Sequence, residues 1–103
     1  MAYIKKSLGQ NFLIDLNIIK KIINLTEIKD KHVLEVGPGK GALTEEILNK
    51  KPKSLILVEK DNLLADALLE KYKNNKKIKV YKDDFLKFNV EKNITKNTII
   101  FGN

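Results

Sequence analysis

Four short runs of branched and apolar residues punctuate this chain, at 32–36 (HVLEV), 54–59 (SLILVE), 76–81 (KKIKVY) and 98–101 (TIIF). Each reads as a strand, and the first ends abruptly at Gly37 and Pro38. The second is apolar without alternation, as in strands covered on both faces of a sheet. Stretches with helical spacing separate the runs. Leu16, Ile18, Ile19, Ile22, Ile23 and Leu25 recur at near-helical intervals behind Asp15, which is placed as an N-cap. Residues 42–50 read as a helix ended by Pro52, and Leu63, Leu64, Ala67, Leu68 and Tyr72 mark an amphipathic helix over 62–73. Strands alternating with helices call for right-handed crossovers and a parallel sheet with helices on both faces, the doubly wound α/β class. Four strands make half of such a sheet.

With 103 residues the chain is one domain, able to bury roughly two thirds of its unfolded surface. No internal repeat or linker interrupts it, and the lysine and asparagine clusters at 71–79 and 92–97 read as solvated surface. Cysteine is absent and His32 is the one histidine, so disulfides, thiol nucleophiles and thiolate zinc sites are excluded, and no metal site is expected. That composition fits a reducing, cytoplasmic setting. Asp15, Lys20 and Lys21 interrupt the apolar residues that follow the basic amino terminus, and no run approaches the roughly 18 apolar residues of a membrane span, so neither secretion nor membrane insertion is expected.

Twenty basic residues against 13 acidic ones leave a formal net charge of +7. All twenty are lysine, so the chain has no guanidinium fork for reading a guanine edge, and any attraction to nucleic acid is sequence-blind. The same charge also serves solubility alone, and composition does not separate the two.

The densest chemical signal is Glu35-Val36-Gly37-Pro38-Gly39-Lys40-Gly41, which joins the first strand to the following helix. Three glycines let a ligand approach the backbone where a Cβ would obstruct it, and the carboxyl end of the first strand of a doubly wound sheet is where nucleotide-like ligands bind. The spacing is GxGxG, not the GxGxxG of dinucleotide folds, and Pro38 removes a backbone donor that a pyrophosphate would use. A glycine turn alone also serves any tight strand-to-helix connection. Glu59 strengthens the ligand reading: it closes the second strand, where a carboxylate accepts hydrogen bonds from both hydroxyls of a ribose. Asp84 stands in the same relative place after the third strand, with Asp83 as its rival, and can accept a bond from an adenine amine or cap the following turn. Together the three positions outline an adenosine.

The segment Lys6-Ser7-Leu8-Gly9-Gln10-Asn11-Phe12-Leu13, the loop VLEVGPGKGALTE, the VEKD around Glu59, the DFLKF from Asp84 and the closing IIFGN together resemble the ribosomal RNA adenine dimethyltransferases. That family includes small-subunit dimethyladenosine transferases and erythromycin-resistance methylases; the proline after the first glycine and the Gly-Ala-Leu-Thr continuation look more like the former. The resemblance covers Lys6 to Asn103 and implies the amino-terminal half of a Rossmann-like class I methyltransferase that uses S-adenosylmethionine. Residues 1–14 would form a cofactor-closing segment and 15–103 the β/α half sheet. Asn11 and Leu13 would close over the methionine end of the cofactor, Gly37 would line its amino-acid and ribose region, Glu59 would hold the ribose and Asp84 the adenine. Asn103 would contact the cofactor and, as first residue of an Asn-Leu-Pro-Tyr motif, face the substrate adenine as the catalytic acceptor. The implied reaction places two methyl groups on the exocyclic amine of adenines in small-subunit ribosomal RNA.

The family continues well beyond Asn103, so the chain reads as a fragment, inactive alone, whose fourth strand is a raw edge open to self-association. Two other readings stand beside this one. A nicotinamide-dependent oxidoreductase fragment would share the glycine loop and acidic strand end but not the GxGxG spacing or the Gln10 to Leu13 segment. A non-catalytic module would bind cofactor or RNA without transferring anything.

Overall fold

The computed structural model describes residues 16–102. Helix α1 (Leu16–Leu25) leads into strand β1 (His32–Val36), and then α2 (Ala42–Asn49), β2 (Ser54–Glu59), α3 (Asn62–Tyr72) and β3 (Ile78–Lys82) alternate. A 3-10 turn at Phe85–Lys87 and the short helix α4 (Val90–Asn93) precede β4 (Ile99–Gly102). All neighbouring strands pair in parallel, in the order β3-β2-β1-β4. The chain therefore steps outward from β1 through β2 to β3, then returns across the sheet to place β4 on the other side of β1. That reversal between β1 and β4 is a topological switch point. The doubly wound α/β expectation holds.

Strand parity divides the core. Val33, Leu55, Leu57, Ile78 and Phe101 face α1, α2 and α3, which contribute Ile19, Ile23, Leu43, Ile47, Leu68 and Tyr72 to one buried cluster. Leu34 and Val58 face the other way and pack with Phe88, joined by half-buried Val36, Ile56, Phe85, Val90, Ile94 and Ile100. Helices thus lie on both faces, but among the described residues the second is covered only by the 3-10 turn and the single turn of α4. Burying each large aliphatic side chain contributes about 1.5–3 kcal/mol, so the first cluster dominates stability.

Local structure departs from the sequence expectations at several places. In α3, Leu63 and Ala67 of the expected stripe are exposed, and Ala65 is buried beside Leu68 and Tyr72. In α1, Ile19 and Ile23 are fully buried while Ile18 and Leu25 are exposed, so the apolar stripe is wider than the packed one; Asp15, the expected N-cap, lies outside the described residues. Helix α2 closes at Asn49, one residue short of the expected Lys50, and Lys51 turns the chain with a left-handed φ of 56° just before Pro52. Strand β3 begins at Ile78, not at 76, because the Asn75 side chain accepts the Lys77 amide at 3.0 Å and holds Lys76 and Lys77 in the preceding turn. Helix α4 was not foreseen in the lysine and asparagine-rich stretch; Asn89 caps it by accepting the Lys92 amide at 3.0 Å.

Candidate functional site

The carboxyl ends of β1, β2 and β3 bring three of the expected positions to one rim. Val36 is level with Val58 on one side and Gly102 on the other, and Glu59 is level with Lys82. Beyond β1, the Gly37 amide donates to Val58 O at 2.9 Å, and beyond β3 the Asp83 amide donates to Glu59 O at 3.0 Å. The glycine loop, Glu59 and the Asp83-Asp84 pair are therefore held in register by the sheet ladder.

Glu59 is nearly buried and both its oxygens are engaged: Oε1 accepts the Gly39 amide at 2.8 Å and Oε2 the Asp61 amide at 3.0 Å. A carboxylate offers about four acceptor positions, so one on each oxygen remains for a pair of hydroxyls. The same two bonds clamp the glycine loop to the start of α3. Gly37 and Gly39 have left-handed φ values of 67° and 59°, a conformation costly for other residues. Around Gly39 the reason is conformational and not steric, since a Cβ placed there meets no atom of the described residues within 4 Å. The loop borders open space.

Asp84 caps the 3-10 turn by accepting the Leu86 amide at 3.0 Å, and Asp83 Oδ1 accepts the Asp84 amide at 2.8 Å. Both aspartates thus serve the turn, and only one oxygen of Asp84 is committed to it among the described residues. Asn11, Leu13 and Asn103 lie outside the described residues. Among those described, no group of three or more His, Asp or Glu side chains converges as metal ligands.

Sequence reasoning passed over Glu35. It faces the first cluster, flanked by Leu57 on β2 and Phe101 on β4, and is 1% exposed. The Thr44 hydroxyl of α2 donates to Glu35 Oε1 at 2.6 Å, while buried Oε2 has no partner among the described residues. Burial pushes its carboxyl up to about 7; the Thr44 bond pulls in the opposite direction, and the nearby charge of Glu59 adds to the rise. The signal was a charged residue in the middle of an otherwise apolar strand. Across the helical layer, Glu45 in the first turn of α2 accepts the Tyr72 hydroxyl at 2.9 Å and pairs with Lys71 at 2.8 Å, tying α2 to the end of α3.

A family model described as ribosomal RNA adenine dimethylase matches residues 1–103. The ribosomal RNA small subunit methyltransferase A of Pelagibacter ubique is 50% identical over 99 residues, covering 96% of this chain and 37% of that protein. Its counterpart in Chlorobium phaeobacteroides is 42% identical over 102 residues, 97% of this chain and 37% of that one. Among solved structures, the 23S rRNA methyltransferase ErmE superposes with a TM-score of 0.65 at 32% identity, over 89% of this chain and 36% of its own. A dimethyladenosine transferase from Plasmodium falciparum gives 0.68 at 27% identity, over 90% and 33%. The chain spans about a third of the length of these relatives.

Proposed function

Since the chain belongs to the ribosomal RNA adenine dimethylase family, we propose that it forms the S-adenosylmethionine-binding part of an enzyme that dimethylates adenines of small-subunit ribosomal RNA. One observation carries the reading: the Glu59 carboxylate sits beside the switch point, clamped to the Gly39 amide, with an acceptor position left on each oxygen.

The residues present fit the cofactor. Glu59 would take the two ribose hydroxyls, the open space over Gly39 would admit the ligand against the loop, and the uncommitted oxygen of Asp84 would accept the adenine amine. Glu35 Oε2, buried and without a donor among the described residues, would be satisfied by a cationic group of the ligand. Asn11 and Leu13 would close over the methionine end. The bound cofactor supplies an electrophilic methyl group on a sulfonium. The task left to the protein is to hold the adenine amine in line with it, because the amine lone pair is delocalised into the ring. Asn103, next in sequence after β4, would accept from that amine and favour its pyramidal form. Such positioning contributes about 7–11 kcal/mol in well-oriented reactions.

Ribosomal RNA as partner and a cytoplasmic setting follow from the same reading; no helix among the described residues is long and apolar enough to cross a membrane. Self-association through the open edge of β4 belongs to it as well.

Calorimetric titration of the chain with S-adenosylmethionine and, separately, with NAD tests the site. Binding of S-adenosylmethionine alone, weakened at least tenfold by Glu59→Ala, is expected. NAD binding of equal strength, or no effect of the substitution, would overturn the assignment.

A further inference from the structure

At the opposite end of the sheet from the glycine loop, a groove of about 260 Å³ opens where β2 and β3 begin. Lys76 and Lys77 enter it from the turn before β3, Lys79 from β3 itself and Lys92 from α4, over a floor that includes half-buried Tyr81 and Asn93. The Tyr81 hydroxyl donates to Asn93 Oδ1 at 3.3 Å, which joins the strand and the helix that carry the lysines. Among the described residues, no acidic side chain lines the groove. Lys71, Lys73 and Lys82, from the same part of the chain, each have a carboxylate partner at 2.5–2.8 Å, whereas none of the four groove lysines is paired among the described residues. Four lysines from three elements thus line one recess, none of them paired with a carboxylate among the described residues. Protection of the β3 edge against strand pairing accounts for Lys79 but not for Lys92, which arrives from α4 on the sheet face.

We propose that this groove seats the phosphodiester backbone of RNA, as a docking surface separate from the methyl-transfer crevice. Four exposed and strongly hydrated lysines hold one phosphate weakly. They gain affinity on a polyanion, where each neutralised phosphate releases condensed counterions. Lysine without arginine gives contact without base reading, so the surface positions RNA and does not select its sequence. Ser54 at the groove and Glu59 at the crevice close opposite ends of β2, about 16 Å apart at the strand rise of ~3.3 Å per residue. An RNA bound here therefore leaves the crevice free. The choice of RNA among polyanions rests on the function proposed above; the groove shares no residue with the cofactor site.

The test is binding of a fluorescent RNA hairpin to the full chain across a salt series, with cofactor titration in parallel. The variants are Lys77→Gln/Lys79→Gln/Lys92→Gln, the matching triple arginine variant, and an equally charged control, Lys21→Gln/Lys29→Gln/Lys51→Asn. The groove glutamine variant is expected to bind about tenfold more weakly and to lower the slope of log affinity against log salt by about 2, at ~0.7 per lost phosphate contact. The arginine variant should restore both, the control should keep them, and cofactor affinity should stay unchanged throughout. Equal losses in the groove and control variants would overturn the proposal, reducing the effect to net charge. So would lysine-dependent binding to phosphatidylglycerol vesicles with none to RNA. Loss of cofactor binding in the unsubstituted chain would instead count against the function proposed for the crevice.

Discussion

The Gly39 amide and Glu59 Oε1, twenty residues apart in sequence, meet at 2.8 Å, and the other oxygen of that carboxylate holds the Asp61 amide. One side chain therefore fixes both the glycine loop and the entry to α3. Glu59→Gln keeps the shape but turns an NH2 group toward one of the two amides, leaving a donor against a donor. The expected cost is about 1–3 kcal/mol, read by urea unfolding without any ligand. A variant as stable as the parent would mean that the carboxylate serves ligand alone.

Gly39 separates conformation from space. Its φ of 59° disfavours any Cβ, yet no described residue occupies the Cβ position. Gly39→Ala should cost roughly 1–2 kcal/mol for the left-handed backbone, and Gly39→Asn distinctly less, since asparagine tolerates that region. Thermal unfolding of the pair decides: equal melting temperatures would remove the conformational account.

The alternation that specifies this fold is written in the sequence because a central strand covered on both faces must be largely apolar, as Leu55, Leu57 and Val58 of β2 are; edge strand β3 is poorer in apolar residues, with Lys79 and Lys82 exposed. Gly37, Glu59 and Asp84 draw notice in the sequence for a related reason, since each stands at or just beyond the point where an apolar run stops; that they share one rim is visible only in the fold. Elements closed by side-chain to backbone bonds draw no such notice. The Asn75 bond that delays β3 and the Asn89 cap that starts α4 use residues common in any polar loop, and only their geometry gives them a role. Glu35 was hidden by its strand: the apolar run around it announced burial, while the Thr44 partner that accommodates it comes from α2. The groove lysines were visible as composition but not as a convergence, which requires β3 and α4 to be placed side by side.

Glu35 makes stability depend on pH. Its carboxyl titrates at 4.5 when exposed and at about 7 in the fold, so between these values the folded chain keeps a proton that the unfolded chain gives up. Its favourable contribution is complete below 4.5 and is lost as pH rises through 7, a change of about 3 kcal/mol. Glu45, held below its ordinary value by Lys71 and Tyr72, acts in the opposite sense: its contribution is present above the ordinary value and lost on acidification, and its exposure to solvent weakens it. Glu35→Gln should therefore flatten the decline between pH 5 and 8 and leave the acid limb intact. Parallel unfolding curves for parent and variant across that window would show that the buried carboxyl is not the titrating group.

Tyr72 ties the two helices that flank the glycine loop. Its hydroxyl donates to Glu45 Oε1 at 2.9 Å while the ring packs in the first cluster. Tyr72→Phe keeps the ring and removes the bond, and should cost about 1 kcal/mol; Tyr72→Ala empties a core position and should cost about 3–5 kcal/mol. Chemical denaturation that finds the two variants alike would place the whole effect in the hydroxyl.

Among the described residues, strand β4 pairs with β1 on one side only, and the face of Ile100 is covered by nothing larger than α4 and the 3-10 turn. Its outer N–H and C=O groups present a row of bonding sites beside half-buried apolar side chains, the arrangement that recruits a second strand. A second copy pairing there would satisfy that row and bury Ile100 and Val36 further. Light scattering should therefore show a mass that rises with concentration. Ile100→Lys places a charge on the pairing surface and should return the chain to monomer, with circular dichroism confirming that the fold survives. A mass that stays monomeric at every concentration would show that the sparse cover of this face suffices, and that the edge of β4 is too short to hold a partner.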